Sequence, residues 1–327
     1  MGQYLLKRLV YLVAVFFIIS ILLFVIFKSM PGDQAAMMVA GRQASMTPES
    51  YQKAYDLARR QLGLDGNIFI QYFAYLSNMV TLRFGYSSVH MRDVIRVAMP
   101  ALRLTMQLNL VVMFFVFLIS VPLGIITAVK KGKVVDTTVQ VITILGNSLP
   151  SFIFSILLIY VFAIQRLWLP INGVSTPNFE GTGFEVLMDR LRYMALPVMT
   201  LTFVSIASIT RYVRAAMIDA LRMDYVRTAR AKGLTEKVVI YSHAFRNSLI
   251  PLVTSLVAWF IGIFSGSMIV ENIFLYTGMG KLMLDSLRSA DWAVALSFNT
   301  FYMLLAIVGN LVMDLLYMAV DPRVKLS

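Results

Sequence analysis

The chain has 327 residues, of which 59% are hydrophobic and 14% charged. A soluble core cannot hide that much apolar surface, so several segments must face lipid, and the length accommodates about six spans of roughly 20 residues plus loops. A net charge of +12 would suggest nucleic acid in a soluble protein, but here much of it sits in short loops at span ends, where it sets topology, so no nucleic-acid partner is expected.

In chain order, Lys7-Arg8 precede nineteen uninterrupted apolar or small residues from Leu9 to Phe27. A cleavable signal has an apolar region of about 7 to 15 residues, so this stretch is long enough to span and stay. The basic pair before it places the N-terminus inside. Residues 29–100 are mixed and amphipathic, without a span, and are expected outside. Their arginines do not conflict, because loops longer than about 60 residues escape the positive-inside bias. In this segment Thr47-Pro48-Glu49 predicts a helix start, with Thr47 as N-cap and Pro48 at the first helical position. Gly63 and Asp65-Gly66 stop that helix, and a second, aromatic-rich helix is expected at 68–79.

Spans two to six are expected at 102–129, 137–164, 193–210, 249–270 and 292–320. Lys130-Lys131-Gly132-Lys133 closes span two on the inner side. The polar, proline-broken patch Gly146–Phe152 lies within span three and should face protein or water. Residues 165–192 read as an external, turn-rich loop. Glu271 sits at the outer end of span five, an external turn runs to 291, and Asn299, Asn310 and Asp314 lie within span six. The expected fold is an all-α polytopic membrane protein with six transmembrane helices and both termini cytoplasmic. It divides into a first helix (1–28), an extracellular amphipathic segment (29–100), a five-helix core (101–321) with a cytoplasmic loop at 211–250, and a cytoplasmic tail (322–327).

That loop, running on to Pro251, is the most informative stretch. Arg211, Arg214, Arg222, Arg227, Arg230, Lys232, Lys237 and Arg246 oppose only Asp219, Asp224 and Glu236, which marks it as cytoplasmic. It predicts a helix over 224–232, a turn at Gly233, where positive φ is free of steric cost, and a second helix capped by Thr235. A stiff knob of this kind could receive force from a soluble partner, whereas a limp loop would dissipate it.

The run DYVRTARAKGLTEKVVIYSHAFRNSLIP resembles the signature loop of the integral-membrane subunits of binding-protein-dependent ABC importers, in their oligopeptide/dipeptide/nickel branch. The broad pattern of that superfamily is Glu-Ala-Ala, three residues, Gly, then a run ending in an apolar residue and proline. Aligned on Gly233, Arg227 stands at the Glu position and Thr228-Ala229 at Ala-Ala, and proline comes only at Pro251. These departures match the peptide-permease branch and argue against the sugar and amino-acid branches. The resemblance extends along nearly the whole chain, through MPGD at 30–33, QLGLD at 61–65, Gly85-Tyr86-Ser87, NSLPSF at 147–152, the VENIFLYTGMGKL run and the closing YMAVDPR.

The resemblance implies a non-enzyme that borrows hydrolysis from two separate ATPase subunits, which bind ATP and Mg; this chain would bind no cofactor. The segment from Tyr225 to Thr235 would be the coupling helix, seated in an ATPase groove. Arg227, Arg230 and Lys232 would make polar contacts, Tyr225, Ala229 and Leu234 would pack, and Gly233 would turn the chain, with Thr228 in the same set. A second, similar permease subunit would complete the pathway, and an extracytoplasmic substrate-binding protein would deliver cargo. Peptides are the commonest cargo of the branch, which also carries nickel chelates, glutathione and some sugars. The location implied is a bacterial or archaeal inner membrane.

Read from the residues, Asn147, Ser148, Ser151, Asn299, Asn310 and Asp314 are candidates for the pathway lining, because polar groups facing lipid are costly; inter-helix hydrogen bonding is the plainer alternative. The absence of cysteine and the wide separation of His90 and His243 leave no expected metal site. Gly280-Lys281 is no phosphate loop, since Leu275 stands where its first glycine would be and Leu282 where Ser or Thr would be. The competing class is a secondary transporter or channel, which would want a central acid, paired broken helices and internal repeats. Asp314 is off centre and no repeat is evident.

Overall fold

The computed structural model describes residues 2–40, 46–81, 83–249 and 259–320. Among these, four helices are long and apolar enough to cross a membrane. They are α1 (Gly2–Lys28), α5 (Val94–Val129), α8 (Gly183–Leu221) and α13 (Trp292–Val320). They correspond to expected spans one, two, four and six, and exposed apolar residues run along them, among them Ile18 and Leu22 on α1 and Phe114 and Leu118 on α5.

Expected span three is not straight. It is two helices, α6 (Val134–Ser148) and α7 (Ser151–Leu158, continued by a π-helical turn over Ile159–Gln165), meeting at 97°. Proline has no N–H and disfavours the helical region for the residue before it. Leu149, before Pro150, accordingly sits extended at ψ 120 and the helix turns there. Expected span five lies partly outside the described residues, over 250–258 with Pro251, as does the whole tail at 322–327. Its described remainder ends at a break over 265–267, followed by a separate short helix, α11 (Met268–Ile273), so it does not run on to Val270.

Other boundaries moved for local reasons. α8 begins ten residues before the expected start of span four, inside what reads as loop. The Glu185 carboxylate accepts both the backbone N–H and the hydroxyl of Thr182 (2.7 and 2.9 Å), the reaching-back half of a capping box. α8 also runs on to Leu221, through about the first quarter of the basic loop.

By compactness the chain divides into two units. The first holds residues 1–104 and 278–314. Here α2 (Gln34–Ala40) and α3 (Pro48–Gln61) pack through Ala35, Val39 and Ala58. Thr47 caps α3 as expected, accepting from the Ser50 N–H. Asp33 caps α2, and the Tyr55 hydroxyl donates to it at 2.6 Å; that hydroxyl holds the Asp33 carboxyl below the usual range. α4 (Ile68–Val80) follows, capped by Asn67, and then a small ribbon pairs β1 (Tyr86–Ser87) with β2 (Arg92–Asp93). The core joins Phe27, Val94 and Ala101 to Met279 and Met283 of α12 (Met279–Arg288) and to Val294 and Phe298 of α13. The amphipathic segment therefore shares its core with spans rather than standing apart.

The second unit holds residues 105–277, with α5 from Thr105 onward, α6, α7, α8 and the basic loop. α5 and α8 meet closely, since a Cβ on Gly124 would lie 2.6 Å from Val213. Phe154 stacks on Phe203 at 4.0 Å between ring centres. Asn109 donates to the carbonyls of Gly262, Ile263 and Ser265 (3.2, 3.0 and 2.9 Å), where the chain leaves helix before α11. In the middle of a helix, Gly→Ala ordinarily stabilises by about 1 kcal/mol. Gly124→Ala is expected to do the reverse, by about 1–3 kcal/mol of overpacking, read as a lower thermal midpoint in detergent, and Val213→Gly in the same chain should recover part of the loss.

Candidate functional site

The basic loop is built on the end of α8. After Leu221 the helix gives way at Arg222–Met223, and α9 (Asp224–Ala231) starts with Asp224 in its first turn, where a carboxylate suits the helix dipole. α9 is short and amphipathic. Val226 and Ala229, three residues apart on one face, are 0% and 3% exposed. They turn toward a π-helical segment, Val239–Phe245, that continues α10 (Glu236–Val238) and itself packs on α8. Val213, Met217, Ala220, Val239 and Ala244 are buried with them. The Ser248 hydroxyl lies 3.3 Å from the Met217 sulfur.

The turn after α9 is specified residue by residue. Gly233 has φ +75. Its N–H donates to the Arg230 carbonyl at 2.9 Å, and the Leu234 N–H donates to the Ala229 carbonyl at 3.3 Å. This pair of bonds with a left-handed glycine is the Schellman ending of a helix. A bidentate contact from Arg230 to Glu236 (2.8 and 3.3 Å) braces the turn from outside. Thr235 occupies the N-cap position of α10, but its side chain caps nothing.

Of the expected coupling residues, Tyr225, Arg227, Thr228, Arg230, Lys232, Gly233 and Leu234 are exposed. Ala229 faces inward, so it seats α9 on its own chain and is not available to a partner. Arg230 is engaged by Glu236, while the Arg227 side chain is 76% exposed and, among the described residues, is restrained by a 3.6 Å contact to Asp224 alone. Sequence reasoning missed Met223, Val238 and Tyr241, which are exposed apolar or aromatic residues beside this face. Their signal was visible in hindsight: large apolar residues in a highly charged stretch, out of phase with the buried positions 226, 229, 239 and 244.

Beneath the loop, the Arg214 guanidinium grips Asp136 with two bonds of 2.7 Å. Asp136, in the first turn of α6, is nearly fully buried and also accepts from the Gly132 N–H and the Gln140 amide. The pair ties the last third of α8 to the start of α6. Arg214 reads in the sequence as one more topology-setting charge, and Asp136 draws no notice there.

The six candidate lining residues fall in different units. Asn147 and Ser148 are exposed at the end of α6, where the Ser148 hydroxyl donates to the Ile144 carbonyl, and Ser151 opens α7 just past the bend. In the first unit, Asn299 donates to the Ala295 carbonyl of its own helix, and Asn310 is exposed. Asp314 is ion-paired with Arg8 of α1, which is the plainer of the two roles considered for it. A cavity of about 310 Å³ in the second unit is lined by Asn109, Ser205, Ser208 and Trp259 and by none of these six. Among the described residues, no group of three or more His, Asp or Glu side chains could hold a metal ion.

Comparison with known proteins meets this geometry. Residues 120–326 match the family "Binding-protein-dependent transport system inner membrane component", and residues 1–109 match its N-terminal counterpart. The chain is 34% identical over 326 residues to the oligopeptide transport system permease protein AppB of Bacillus subtilis (strain 168), covering 99% of this chain and 100% of that protein. It is also 34% identical over 325 residues to the glutathione transport system permease protein GsiC of Escherichia coli (strain K12), covering 99% of each. Inward facing conformations of the MetNI methionine ABC transporter align over 68% of this chain and 97% of that one, with a TM-score of 0.49 and 16% identity. The chain belongs to the family of inner membrane components of binding-protein-dependent transport systems, and is a multi-pass membrane protein.

The seat of α9 can be tested directly. Val226→Asp would leave an uncompensated buried charge, costing about 3–5 kcal/mol. Trypsin is then expected to cut at Arg227, Arg230 and Lys232 much faster than in the parent, while Thr228→Asp, on the exposed face, leaves cleavage unchanged.

Proposed function

We propose that this chain is the membrane-spanning subunit of an ATP-driven importer of short peptides, and that α9 and the Gly233 turn form its coupling element. The observation that carries this reading is the construction of the loop: a helix seated by its apolar face, locked by a left-handed glycine and an ion pair, with Tyr225, Arg227, Thr228, Lys232 and Leu234 left outward. A protrusion that spends its apolar face on its own chain is stiff, and a stiff protrusion can transmit a push. The peptide assignment is supported by the names of the 34% identical relatives, which handle oligopeptides and glutathione.

On this reading the chain has six spans with both termini cytoplasmic, and residues 29–100 lie on the outer side. It hydrolyses nothing itself. Two ATPase subunits bind ATP and Mg, and closing around nucleotide they displace α9. α8 carries the displacement into the bundle, alternating access between the two sides as a rigid-body movement. A second homologous permease forms the other half of the pathway, and an extracytoplasmic binding protein supplies the peptide. Asn147 and Ser148, exposed at the end of α6, and the half-buried Ser151 just past the bend are the better lining candidates, with Asn299 and Asn310 after them; Asp314 is occupied by Arg8.

Gly233→Pro tests the coupling role. Proline cannot adopt positive φ and removes the N–H that bonds Arg230. The variant is expected to insert normally and to retain ATP hydrolysis in the reconstituted complex, while uptake of labelled di- to pentapeptides falls at least about tenfold. Uptake at the parental rate would remove the coupling assignment, and absence of ATP-driven peptide uptake by the parent complex would remove the importer reading.

A further inference from the structure

The helix α4 carries a feature that an extracytoplasmic lid does not need. It is 13 residues long, without one charged side chain. Its outward residues Phe69, Phe73 and Ile70 are 71%, 67% and 58% exposed. At about 1.5 Å per residue it is roughly 20 Å long, too short for a hydrocarbon core of about 30 Å. In water, such a face would be an unprotected apolar patch.

Its depth is fixed by two tyrosines on the opposite face. The Tyr72 hydroxyl bonds the Ser20 hydroxyl of α1 at 2.8 Å, and the Tyr75 hydroxyl bonds the Thr300 hydroxyl of α13 at 2.7 Å. Ser20 lies eight residues inside the Lys28 end of α1, and Thr300 lies eight residues inside the Trp292 end of α13. Each anchor is therefore about 12 Å down its span from the end. Two different spans give the same depth. Both tyrosine rings also pack on Phe24, at 5.4 and 5.7 Å between centres. α4 thus lies beside the last two turns of α1, whose own Ile21, Leu22, Val25 and Ile26 are exposed apolar residues.

A cavity of about 140 Å³ opens beside it, with Phe24, Phe27 and Trp292 among its walls and Lys28 and Arg83 among its polar residues. No carboxylate lines it, and neither cation is in an ion pair among the described residues. Aromatic walls and cations together match the two parts of a phospholipid.

We infer that α4 is sunk into the leaflet at the Lys28 end of α1, with Phe69, Ile70 and Phe73 against acyl chains, and that Lys28 and Arg83 hold the phosphate of an adjoining phospholipid. The helix is then an interfacial anchor, buried about 5–10 Å at the headgroup boundary, rather than a surface that receives a soluble protein. The occupant is lipid because the exposed face is continuous in depth with the exposed apolar part of α1 and because, among the described residues, the charges lining the adjoining cavity are the positive Lys28 and Arg83.

The chain has no cysteine, so single-cysteine variants need no prior engineering. Phe69→Cys, Phe73→Cys and, as a solvent control on α3, Lys53→Cys are labelled with bimane and reconstituted at full length with partner subunits in nanodiscs. Severalfold stronger quenching by acyl-brominated phosphatidylcholine, and severalfold weaker quenching by iodide, is expected at 69 and 73 than at 53. Iodide quenching equal to that at 53 would make α4 an aqueous lid, and quenching by neither agent would mean a protein covers it; either result overturns the inference. For the cations, phosphatidylglycerol retained by the purified complex is measured by native mass spectrometry. Lys28→Ala and Arg83→Ala should each weaken retention roughly fivefold. Retention unaltered in both, or displaced in the parent by inorganic phosphate, overturns the headgroup assignment.

Discussion

Hydrocarbon offers no partner to a free backbone group, and this constraint governs where the chain can bend. Within a membrane every break in a helix must bring its own donors and acceptors. The break before α11 is met by Asn109, whose amide reaches three carbonyls at once. Close by, the buried Glu271 accepts from Thr105. The break between α6 and α7 exploits proline, which has no N–H to satisfy. At the basic loop the constraint relaxes. The gap between α8 and α9 is left at Arg222–Met223 with exposed side chains, as water allows. The chain is thus irregular freely outside the apolar spans, and within them only where a specific residue permits it.

The same economy gives the second unit a continuous mechanical path. α9 rests on the π-helical segment, which rests on α8. α8 is bound to α6 by the doubly bonded Arg214–Asp136 pair and lies against α5 at Gly124–Val213. An ion pair this well satisfied is stiff in direction as well as strong, since two parallel bonds fix the guanidinium plane. The close approach at glycine does the same by shape. Displacing the loop while α8 stays still would require opening a buried apolar seat, and displacing α8 while α5 and α6 stay still would require breaking both contacts. On the proposed coupling, a push on α9 moves these helices together, and the α6–α7 bend is the first place where the path changes direction.

Much of this was legible in the sequence, for physical reasons that differ by element. Four spans are legible because long, mostly apolar stretches admit few alternatives. Thr47, Pro48 and Gly233 were found because their roles are local: a cap, a fixed φ and a positive φ depend on adjacent backbone alone. The size of the bend at Pro150 was not legible, because proline says that a helix breaks and not where the next helix goes. The start of α8 was hidden because Gly181 and Gly183 read as loop, while Glu185 reaching back to Thr182 outweighed them. Ala229 reads as a packing residue of the coupling segment, but an alanine in a signature motif carries no mark of what it packs on; only its spacing from Val226 points to its own chain. Asp136 and Asp314 needed partners 78 and more residues away in sequence, and no local rule finds those.

The charge pattern of α9 narrows what can lie against it. Arg230 is consumed by Glu236, and its contribution is to hold the turn. An exposed ion pair of that kind is worth less than about 1 kcal/mol in stability, so its value lies in geometry. Arg227 and Lys232 are left as the outward cations, with Tyr225 and Leu234 beside them. A groove that receives this face would do best with acidic side chains at its rim and an apolar floor. The rim charges would steer approach and the floor would supply most of the contact energy. Where the broad superfamily pattern has a glutamate, this chain has Arg227, so a groove suited to the one sign would repel the other. On the proposed coupling, the sign at this one position would bear on which ATPase subunits can serve the chain, while the Gly233 turn and the buried face of α9 would fix only the shape they must accept.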